Sequence, residues 1–179
     1  ELASIISKVL DNMAEAERQA IVSKWVGMGP AATTPAGPTL NLTPKEIAWI
    51  AEHPTIRVHN ETDWPPFNFN EDGEPAGFAV EYMNLVTARA GLQVEYVTGP
   101  TFDEFLDLIR SGDLDVMINV RLTAERQAYM NFTTPFFETT TGVFTRDDDT
   151  QIKAMIDLRD QRVAVPAGFF HQDYMERNY

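Results

Sequence analysis

The chain has 179 residues, of which 44% are hydrophobic and 23% charged, a composition typical of a soluble globular protein with one or two domains. Its formal net charge of −13 argues against nucleic-acid and anionic-membrane partners, because both require a concentrated positive surface. The lack of cysteine excludes a disulfide framework, thiol catalysis and thiolate metal sites. The sequence shows no apolar run of the roughly 20 residues that a membrane span needs.

Residues 1–27 carry apolar side chains at helical spacing, which predicts two short helices or one broken helix. They do not have the pattern of a signal peptide, so we expect this chain to be part of a longer one. The next segment, residues 27–38, consists mostly of small residues, is rich in proline and is uncharged, which is the composition of a linker. We therefore expect a domain boundary in this segment.

A capping box begins the next predicted helix, with Thr43 as the N-cap and Glu46 three residues later. The helical spacing predicts an apolar face formed by Ile47, Ile50 and Ala51. This face is expected to pack against the rest of the domain.

From residue 55 onwards, strand patterns alternate with helix patterns. The predicted elements are a strand Thr55–His59, a turn at Asp72-Gly73, a helix Phe78–Ala90 closed by Gly91, a strand Gln93–Val97, a helix from the N-cap Thr101 to Gly112, and a central strand Asp115–Asn119. This order predicts an α/β fold with a mainly parallel sheet and right-handed crossovers. Further predicted elements are a strand Thr139–Thr145, a polar turn Arg146–Asp149, a short helix from Ile152 to Leu158, a strand Arg162–Val165 and a helix through Tyr179.

Ligands of open α/β sheets bind beyond the carboxyl ends of the strands, and the loop Glu61–Phe69 follows the first strand. Its two prolines stiffen the backbone and hold the aromatic rings in place. Trp64 is expected to face a cleft, whereas Phe67 and Phe69 are compatible with places in the core. Phe67 is also a candidate for contact with a ligand.

A second candidate position follows the central strand. Thr123 is predicted to cap a helix whose free N–H groups form an anion site, and Arg126 lies in the first turn of that helix. A cation is unfavourable there because of the helix dipole, so Arg126 is expected to face either a bound carboxylate or an acid such as Glu125. Asn119 and Arg121 are further candidates at this position.

The third position is the segment Pro166–Phe170, where backbone amides at a strand end could hold an anion. The sequence predicts no metal or cofactor site. His53, His59 and His171 lack the spacing of metal ligands and are expected at the surface or at strand ends. The acidic run Asp147–Asp149 lacks the spacing of a calcium loop and predicts a solvated turn.

The segment Gly112–Asn119, followed by Thr123-Ala124-Glu125-Arg126 and Phe132-Thr133-Thr134-Pro135-Phe136, resembles the first lobe of the bacterial extracellular solute-binding proteins, family 3. These are two-lobed Venus-flytrap receptors. The resemblance covers about Thr43 to Tyr179 and implies a periplasmic-binding-protein-like lobe of type II, with helices flanking the sheet and a truncated second lobe. The lead-in Leu42–Pro54 resembles that of sensors with tandem flytrap domains ahead of a histidine kinase or cyclase.

The resemblance implies four regions in the chain. Residues 1–28 are similar to the closing helices of a preceding flytrap domain, and residues 29–42 form the linker. Residues 43–147 correspond to the first lobe, and residues 148–179 to the hinge and the start of the second lobe. Because most of the second lobe is missing, we expect the chain alone to bind solute weakly or not at all.

In the family, the arginine after the threonine cap binds a ligand carboxylate, which implies this role for Arg126 behind Thr123. The resemblance assigns Trp64 to the aromatic position of the first loop, and Ala167-Gly168 to the second-lobe turn. The chain departs from the transport receptors at residues 119–122, where those receptors usually carry small or hydroxyl residues. Sensor-type members share this departure.

The implied function is a periplasmic ligand-sensing domain of an inner-membrane signalling protein, without enzymatic activity or a cofactor. It binds a small polar solute such as an amino acid or organic acid between two lobes. Its expected partners are a tandem flytrap domain and a downstream module in the same chain, and the full-length sensor is compatible with a homodimer. The alternatives are a free-standing receptor of an ABC uptake transporter, an enzyme on the same fold such as a cyclohexadienyl dehydratase or a lytic transglycosylase module, and a flytrap that binds no ligand.

Overall fold

The structure, a computed structural model, describes residues 1–26, 40–138, 142–166 and 169–178. The chain divides into two compact units, Glu1–Thr134 and Pro135–Tyr179. The described elements of the first unit, in chain order, are α1 (Leu2–Asp11), α2 (Glu15–Val26), α3 (Pro44–Glu52), β1 (Thr55–Asn60), β2 (Asp63–Trp64), β3 (Asn68–Glu71), β4 (Glu74–Ala76), α4 (Phe78–Ala90), β5 (Gln93–Thr98) and α5 (Phe102–Ser111).

Strand β1 lies at the centre of the first unit. It pairs in parallel with β5, from Thr55 opposite Gln93 to Asn60 opposite Thr98. On its other edge Val58 forms an isolated parallel bridge with Val116. The apolar side chains beneath these strands form the core and include Ile56, Val58, Phe78, Val86 and Phe105. The predicted α/β order with parallel pairing is therefore confirmed.

The predicted central strand Asp115–Asn119 is wrong as a strand, because only the bridge at Val116 joins it to the sheet. Side chains replace the backbone partners on both sides of this bridge. The carboxylate of Asp115 accepts the Arg57 backbone N–H at 2.8 Å. The Ile118 N–H donates to the His59 ring instead of to a carbonyl, at 3.0 Å. The segment is thus extended and bonded to β1 without forming a ladder.

Capping residues and glycines end the helices at the positions that the sequence predicts. Both capping boxes are present, Thr43 with Glu46 on α3 and Thr101 with Glu104 on α5. Helices α4 and α5 end at Gly91 and Gly112, which adopt left-handed conformations with φ of 76° and 81°. At these two positions glycine avoids the steric cost that a side chain would bring.

The predicted apolar face of α3 is wrong. Ile47 is 56% exposed, whereas Glu46 is 2% exposed. The carboxylate of Glu46 accepts hydrogen bonds from Ser4 at 2.7 Å and Lys8 at 2.6 Å, both on α1. Helix α1 therefore covers the capped end of α3, and the side that carries Ile47 remains open to solvent.

A second sheet, which the sequence analysis did not predict, occupies part of the expected loop Glu61–Phe69. Strands β2, β3 and β4 pair antiparallel in this order. The predicted turn between β3 and β4 is confirmed, since Asp72 and Gly73 have φ of 53° and 89°. Two consecutive positive φ values are typical of a tight hairpin turn.

The N-terminal helices pack onto this unit. The sequence prediction of two helices is confirmed, and α1 buries its apolar stripe of Ile5, Ile6, Val9 and Leu10. Helix α2 is tied to α4 by an ion pair of 2.7 Å between the buried Glu17 and Arg89. The assignment of residues 1–28 to a preceding domain stays a prediction, and most of the predicted linker 29–42 lies outside the described residues.

The second unit contains a 3-10 turn at Met155–Leu158, where the sequence predicts a short helix, and a helix α6 at Phe170–Asn178. The polar turn is confirmed by a hydrogen bond of 3.0 Å from the Asp149 N–H to the Arg146 carbonyl. The predicted strand Arg162–Val165 is wrong, since no described residue pairs with it to satisfy its backbone. Of the predicted strand Thr139–Thr145, residues 139–141 lie outside the described residues and 142–145 form no strand.

Across the part of the chain that the structure describes, the helices are too short or too polar to cross a bilayer.

Replacement of Gly77 tests the close approach of two backbone segments. A Cβ at Gly77 would lie 2.6 Å from the Phe67 carbonyl oxygen, and φ is +116°. Gly99 has the same φ of +116° but no atom within 4 Å of its Cβ position, which makes it a matched control. We expect Gly99→Ala to cost only the backbone strain, of order 1–3 kcal/mol. Gly77→Ala should cost at least about 1 kcal/mol more, measured by urea unfolding, because overpacking adds to the strain. Equal losses would contradict the observed contact.

Acid should loosen the contact between α1 and α3. Hydrogen bonds from Lys8, Ser4 and the Thr43 backbone lower the pKa of Glu46 from 4.5 to about 2. Because the folded pKa is depressed, this stabilisation is complete above the unfolded pKa near 4.5 and is lost as the pH falls towards 2. Glu46→Gln should therefore flatten the loss of unfolding free energy with falling pH.

The matched control is Glu104→Gln, which alters the same capping-box position on α5. Only Thr101 lowers the pKa of Glu104, so this change should affect the acid dependence less. Urea unfolding between about pH 2 and 6 checks both variants. An acid profile that is unchanged in Glu46→Gln would show that the Lys8 contact is not formed in solution.

Candidate functional site

Polar atoms without hydrogen-bond partners among the described residues concentrate at the carboxyl end of β1. They belong to five side chains, which are His59, Asn60, Glu61, Asn68 and Asn119. Elsewhere in the described ranges, only one Nη atom of Arg89 shares this condition. A buried polar atom without a partner costs about 1–3 kcal/mol, so such atoms are rare unless water or a ligand satisfies them. Their concentration makes this edge the candidate site.

His59 is fully buried and joins the end of β1 to the segment at Ile118. Its Nδ1 accepts the Ile118 N–H at 3.0 Å, so the ring proton of the neutral imidazole lies on Nε2. Nε2 points towards Glu61 Oε1 at 3.8 Å, which is beyond hydrogen-bond range. The ring also meets Phe105 edge-on, with centroids 4.9 Å apart. The sequence predicts His59 at the surface or at a strand end, whereas in the structure it is the buried penultimate residue of β1.

The bond from Ile118 to His59 determines where the chain leaves the sheet. The next residue, Asn119, has a φ of 62°, which is a left-handed conformation that asparagine tolerates better than most residues. From this point the chain turns away towards Arg121, Thr123 and Arg126. His59 therefore positions a segment in which the sequence predicts four site residues.

The helix predicted after Thr123 is wrong in length, since it is a 3-10 turn of three residues, Arg126–Ala128. So short a turn offers no helix N-terminus with a set of free amides, and the predicted anion site does not form in that way. Thr123 does cap the turn as predicted, with its Oγ1 accepting the Arg126 N–H at 3.2 Å.

The guanidinium of Arg126 is held in a fixed position. The residue is 5% exposed, and its Nη1 donates to the Arg121 carbonyl at 3.0 Å. The guanidinium carbon lies 5.3 Å from the centroid of the Phe102 ring, at the first turn of α5. This contact with a ring face stabilises the cation. Arg121 itself is exposed and supplies a carbonyl to this arrangement.

Trp64 and Phe67 lie side by side in the segment that follows β1. Trp64 is 36% exposed, and its ring meets Phe67 at a centroid distance of 5.6 Å. Phe67 in turn packs edge-on against the buried Phe78, at 6.3 Å. Phe67 thus connects the exposed indole to the core, while their part in ligand contact stays a prediction.

Two groups of predicted site residues follow the carboxyl ends of neighbouring parallel segments, which is where ligands of such sheets bind. Trp64 and Phe67 form the Trp64 group, and Arg121, Thr123 and Arg126 form the Arg126 group. The Trp64 group follows β1, and the Arg126 group follows the segment bridged to β1 at Val116. The predicted contacts Ala167 and Gly168 lie outside the described residues. No cluster of His, Cys, Asp and Glu that could hold a metal occurs within the described ranges.

Sequence reasoning missed four residues of this edge, namely His59, Asn60, Glu61 and Asn68. The sequence contains a signal for three of them. His59, Asn60 and Glu61 form a polar run at the end of a strand whose buried face is otherwise apolar. Asn60 is fixed by donating to Asn70 Oδ1 at 2.5 Å and to Thr98 Oγ1 at 3.1 Å. Asn68 is buried in β3 and has no comparable signal in the sequence around it.

The sequence profile of the bacterial extracellular solute-binding proteins, family 3, matches residues 56–176. The virulence sensor protein BvgS of Bordetella pertussis is 25% identical over 149 residues, which cover 82% of this chain and 12% of the sensor.

Two solved structures are similar to the chain. An ancestral arginine-binding protein, bound to arginine, has a TM-score of 0.64 and 28% identity, covering 70% of this chain and 56% of that one. The ancestral amino acid-binding protein AncCDT-1, a precursor of cyclohexadienyl dehydratase, has a TM-score of 0.62 and 25% identity, covering 73% and 60%. The chain thus spans less than two thirds of each of these relatives. The likenesses confirm the predicted fold class, an α/β lobe of the periplasmic-binding-protein type.

Two substitutions of His59 distinguish the effect of losing its hydrogen bond from the effect of losing its side-chain volume. His59→Ala removes the acceptor for the buried Ile118 N–H and should lower the unfolding free energy by about 2–5 kcal/mol, through the cavity and the unpaired donor together. His59→Asn can place an amide oxygen near the position of Nδ1, so it should retain the bond. We expect Ile118 amide exchange to accelerate strongly in His59→Ala and only slightly in His59→Asn. Similar acceleration in both variants would show that the bond does not protect this amide.

Proposed function

The chain belongs to the bacterial extracellular solute-binding proteins, family 3, and on this basis we propose that it is a periplasmic solute-sensing domain of a membrane-anchored signalling protein. The solute is a small polar molecule such as an amino acid or organic acid, bound between two lobes. The observation that carries the proposal is the set of buried polar atoms without partners at the carboxyl edge of β1. An amino acid carries the charged and hydrogen-bonding groups that would satisfy them.

Arg126 is proposed to bind the carboxylate of the solute. A guanidinium presents a planar fork that matches a carboxylate, and the Arg121 carbonyl and Phe102 ring fix its position beforehand. Thr123 caps the turn that carries it. Arg121 lies beside it as a second, exposed cation.

The opposite side of the proposed site is aromatic and polar. Trp64 offers an exposed ring face, backed by Phe67. Glu61 and Asn119 each direct one buried polar atom without a protein partner to this edge. A carboxylate and an amide N–H₂ there could take the amino group and a carbonyl oxygen of the solute. Ala167 and Gly168 remain proposed contacts from the second lobe.

The sensor role is supported by the extent of the likeness to BvgS. That match covers 149 residues and is wider than the family match to residues 56–176. Under this proposal, residues 1–28 close a preceding flytrap domain, 29–42 link the domains, 43–147 form lobe one and 148–179 begin lobe two. A signalling module in the same chain and a homodimer of the full-length sensor complete the arrangement. Solute shifts the sensor between states only by its different affinity for each state.

A second candidate function is an enzyme on the same fold, favoured by the likeness to AncCDT-1, a precursor of cyclohexadienyl dehydratase. Such an enzyme needs an acid in the cleft, and Glu61 is the carboxyl group at this edge that would serve. Turnover of prephenate or arogenate by the full-length protein would decide for this candidate. The other alternative, a free-standing receptor of an uptake transporter, differs from the sensor in having no signalling module in the same chain.

A thermal-shift screen on the protein extended to both lobes tests the receptor proposal. A solute at about 100 times its Kd should add about 2.7 kcal/mol, which raises the unfolding midpoint by about 5–10 °C. Amino acids, organic acids and polyamines form the panel. Arg126→Ala should abolish the shift, and Arg126→Lys, which keeps the charge without the fork, should reduce it.

Arg110→Ala is the matched control, because Arg110 is also an arginine over an aromatic ring, that of Tyr129 at 4.4 Å, but is not at the carboxyl edge. It should leave the shift unchanged. A panel without any hit would overturn the proposal in favour of a flytrap that binds no ligand. A shift that survives in both Arg126 variants would remove Arg126 from the site.

A further inference from the structure

The N-terminal helices reach the proposed site through Trp25, in the last turn of α2. The Trp25 indole N–H donates to Glu81 Oε2 on α4 at 2.5 Å, and Lys24 forms an ion pair with the other oxygen of the same carboxylate. The Trp25 ring meets Phe69 edge-on, with centroids 5.9 Å apart and an interplanar angle of 80°. Trp25 therefore touches β3 directly.

Phe69 belongs to the hairpin that carries the exposed aromatic residue of the site. It pairs with Asp63 on β2, and the adjacent pair is Trp64 with Asn68. Trp25 is thus one residue pair away from Trp64 and from the buried amide of Asn68. A displacement of the Phe69 ring would move the strand that holds both.

The hairpin depends on such outside contacts. Strands β2, β3 and β4 have only two to four residues each, and a sheet this small needs packing against the rest of the lobe to be stable. Backbone bonds hold both ends of the hairpin, from the Asn70 N–H to the Thr62 carbonyl at 3.3 Å and from the Phe67 N–H to the Trp64 carbonyl at 2.9 Å. The Ala79 N–H of α4 also donates to the Phe67 carbonyl at 2.9 Å. The contact with Trp25 supplies apolar packing on the β3 side.

Helix α2 is held less firmly than α1. Its single fully buried side chain in the described range is Glu17, paired with Arg89, whereas α1 buries Ile5 and Val9 completely. Segments with few buried apolar contacts open at low free-energy cost, and switching elements are drawn from them. Helix α2 is held to α4 mainly by polar contacts of Glu17, Lys24 and Trp25, which should open at a lower free-energy cost than the core beneath β1.

We propose that the docking of α2 on α4 is coupled through Trp25 to the hairpin β2–β3, and with it to the solute affinity of this lobe. The effect on affinity rests on the proposed function, whereas the effect on the hairpin does not. With α2 docked, Trp25 holds the hairpin in place and Trp64 is ready for the solute. By linkage, bound solute favours docked α2 by the same factor.

Amide hydrogen exchange on the 179-residue chain, without solute, tests the coupling. In Trp25→Ala, the Phe67 and Asn70 amides should exchange at least about tenfold faster, while the Phe105 amide in α5 should keep its rate. Trp49→Ala is the matched control, because Trp49 is also a tryptophan on a helix but stacks on His53 at 4.5 Å. It should leave the hairpin unchanged.

Trp25→Phe keeps a ring against Phe69 and loses only the bond to Glu81, so it should give an intermediate rate if Trp25→Ala fails to fold. Unchanged hairpin exchange in the Trp25 variants would overturn the proposal. Equal acceleration in the hairpin and in α5 would also overturn it, because Trp25 would then stabilise the whole lobe.

The effect on affinity is measured by calorimetry with L-arginine on the protein extended to both lobes. Trp25→Ala should weaken binding by about 5- to 100-fold, and Trp49→Ala should not. If the wild-type protein binds L-arginine and the Trp25 variants bind it equally well, the coupling to affinity is overturned. If the wild type does not bind, L-arginine is not its solute, and the exchange experiment still decides the coupling.

Discussion

The arrangement of the carboxyl edge depends on the hydrogen bond from the Ile118 N–H to the buried His59 ring. A backbone carbonyl in its place would continue the sheet past Val116. The ring nitrogen ends the sheet there instead, and Asn119 turns the chain into a left-handed conformation. The segment that carries Arg121, Thr123 and Arg126 starts from this turn, so a single imidazole determines where the cationic side of the site begins.

The same edge keeps polar atoms buried at a cost to stability, and the layer beneath it offsets that cost. Ile56 and Val58 of β1, together with Phe78 and Phe105 from the flanking helices, are at most 1% exposed. This apolar layer holds the end of β1 rigid while leaving the groups above it unsatisfied by protein. Under the proposed function, polar groups fixed in this way would not need to be ordered when a solute binds, which lowers the entropy cost of binding.

Sequence reasoning predicted the parts of the fold that short-range rules determine. The capping boxes at Thr43 and Thr101 and the stops at Gly91 and Gly112 each involve residues within one turn of each other. The strand at residues 115–119 was mispredicted because Asp115 and His59 use their side chains as acceptors, which depends on pairing across nearly 60 positions of the chain.

The remaining differences also come from partners distant in the sequence. The sequence predicts only a capping role for Glu46, because its burial depends on Lys8 and Ser4, which are distant in the sequence. Strands β2 and β4 have two and three residues, too few for an alternating pattern to appear. Of the site, the roles of Trp64 and Arg126 could be proposed from the family resemblance. The contribution of Asn68 could not, since it arises from burial alone.

Of the ion pairs that fasten the N-terminal helices, the two with a fully buried carboxylate have opposite polarity, while the third, between Lys24 and Glu81, is more exposed. Helix α1 contributes the cation Lys8 to the anion Glu46, whereas α2 contributes the anion Glu17 to the cation Arg89. If the two helices exchanged places, Lys8 would face Arg89 and Glu17 would face Glu46. Like charges in such buried places are strongly unfavourable. These two pairs therefore favour the observed order of α1 and α2 over the exchanged one.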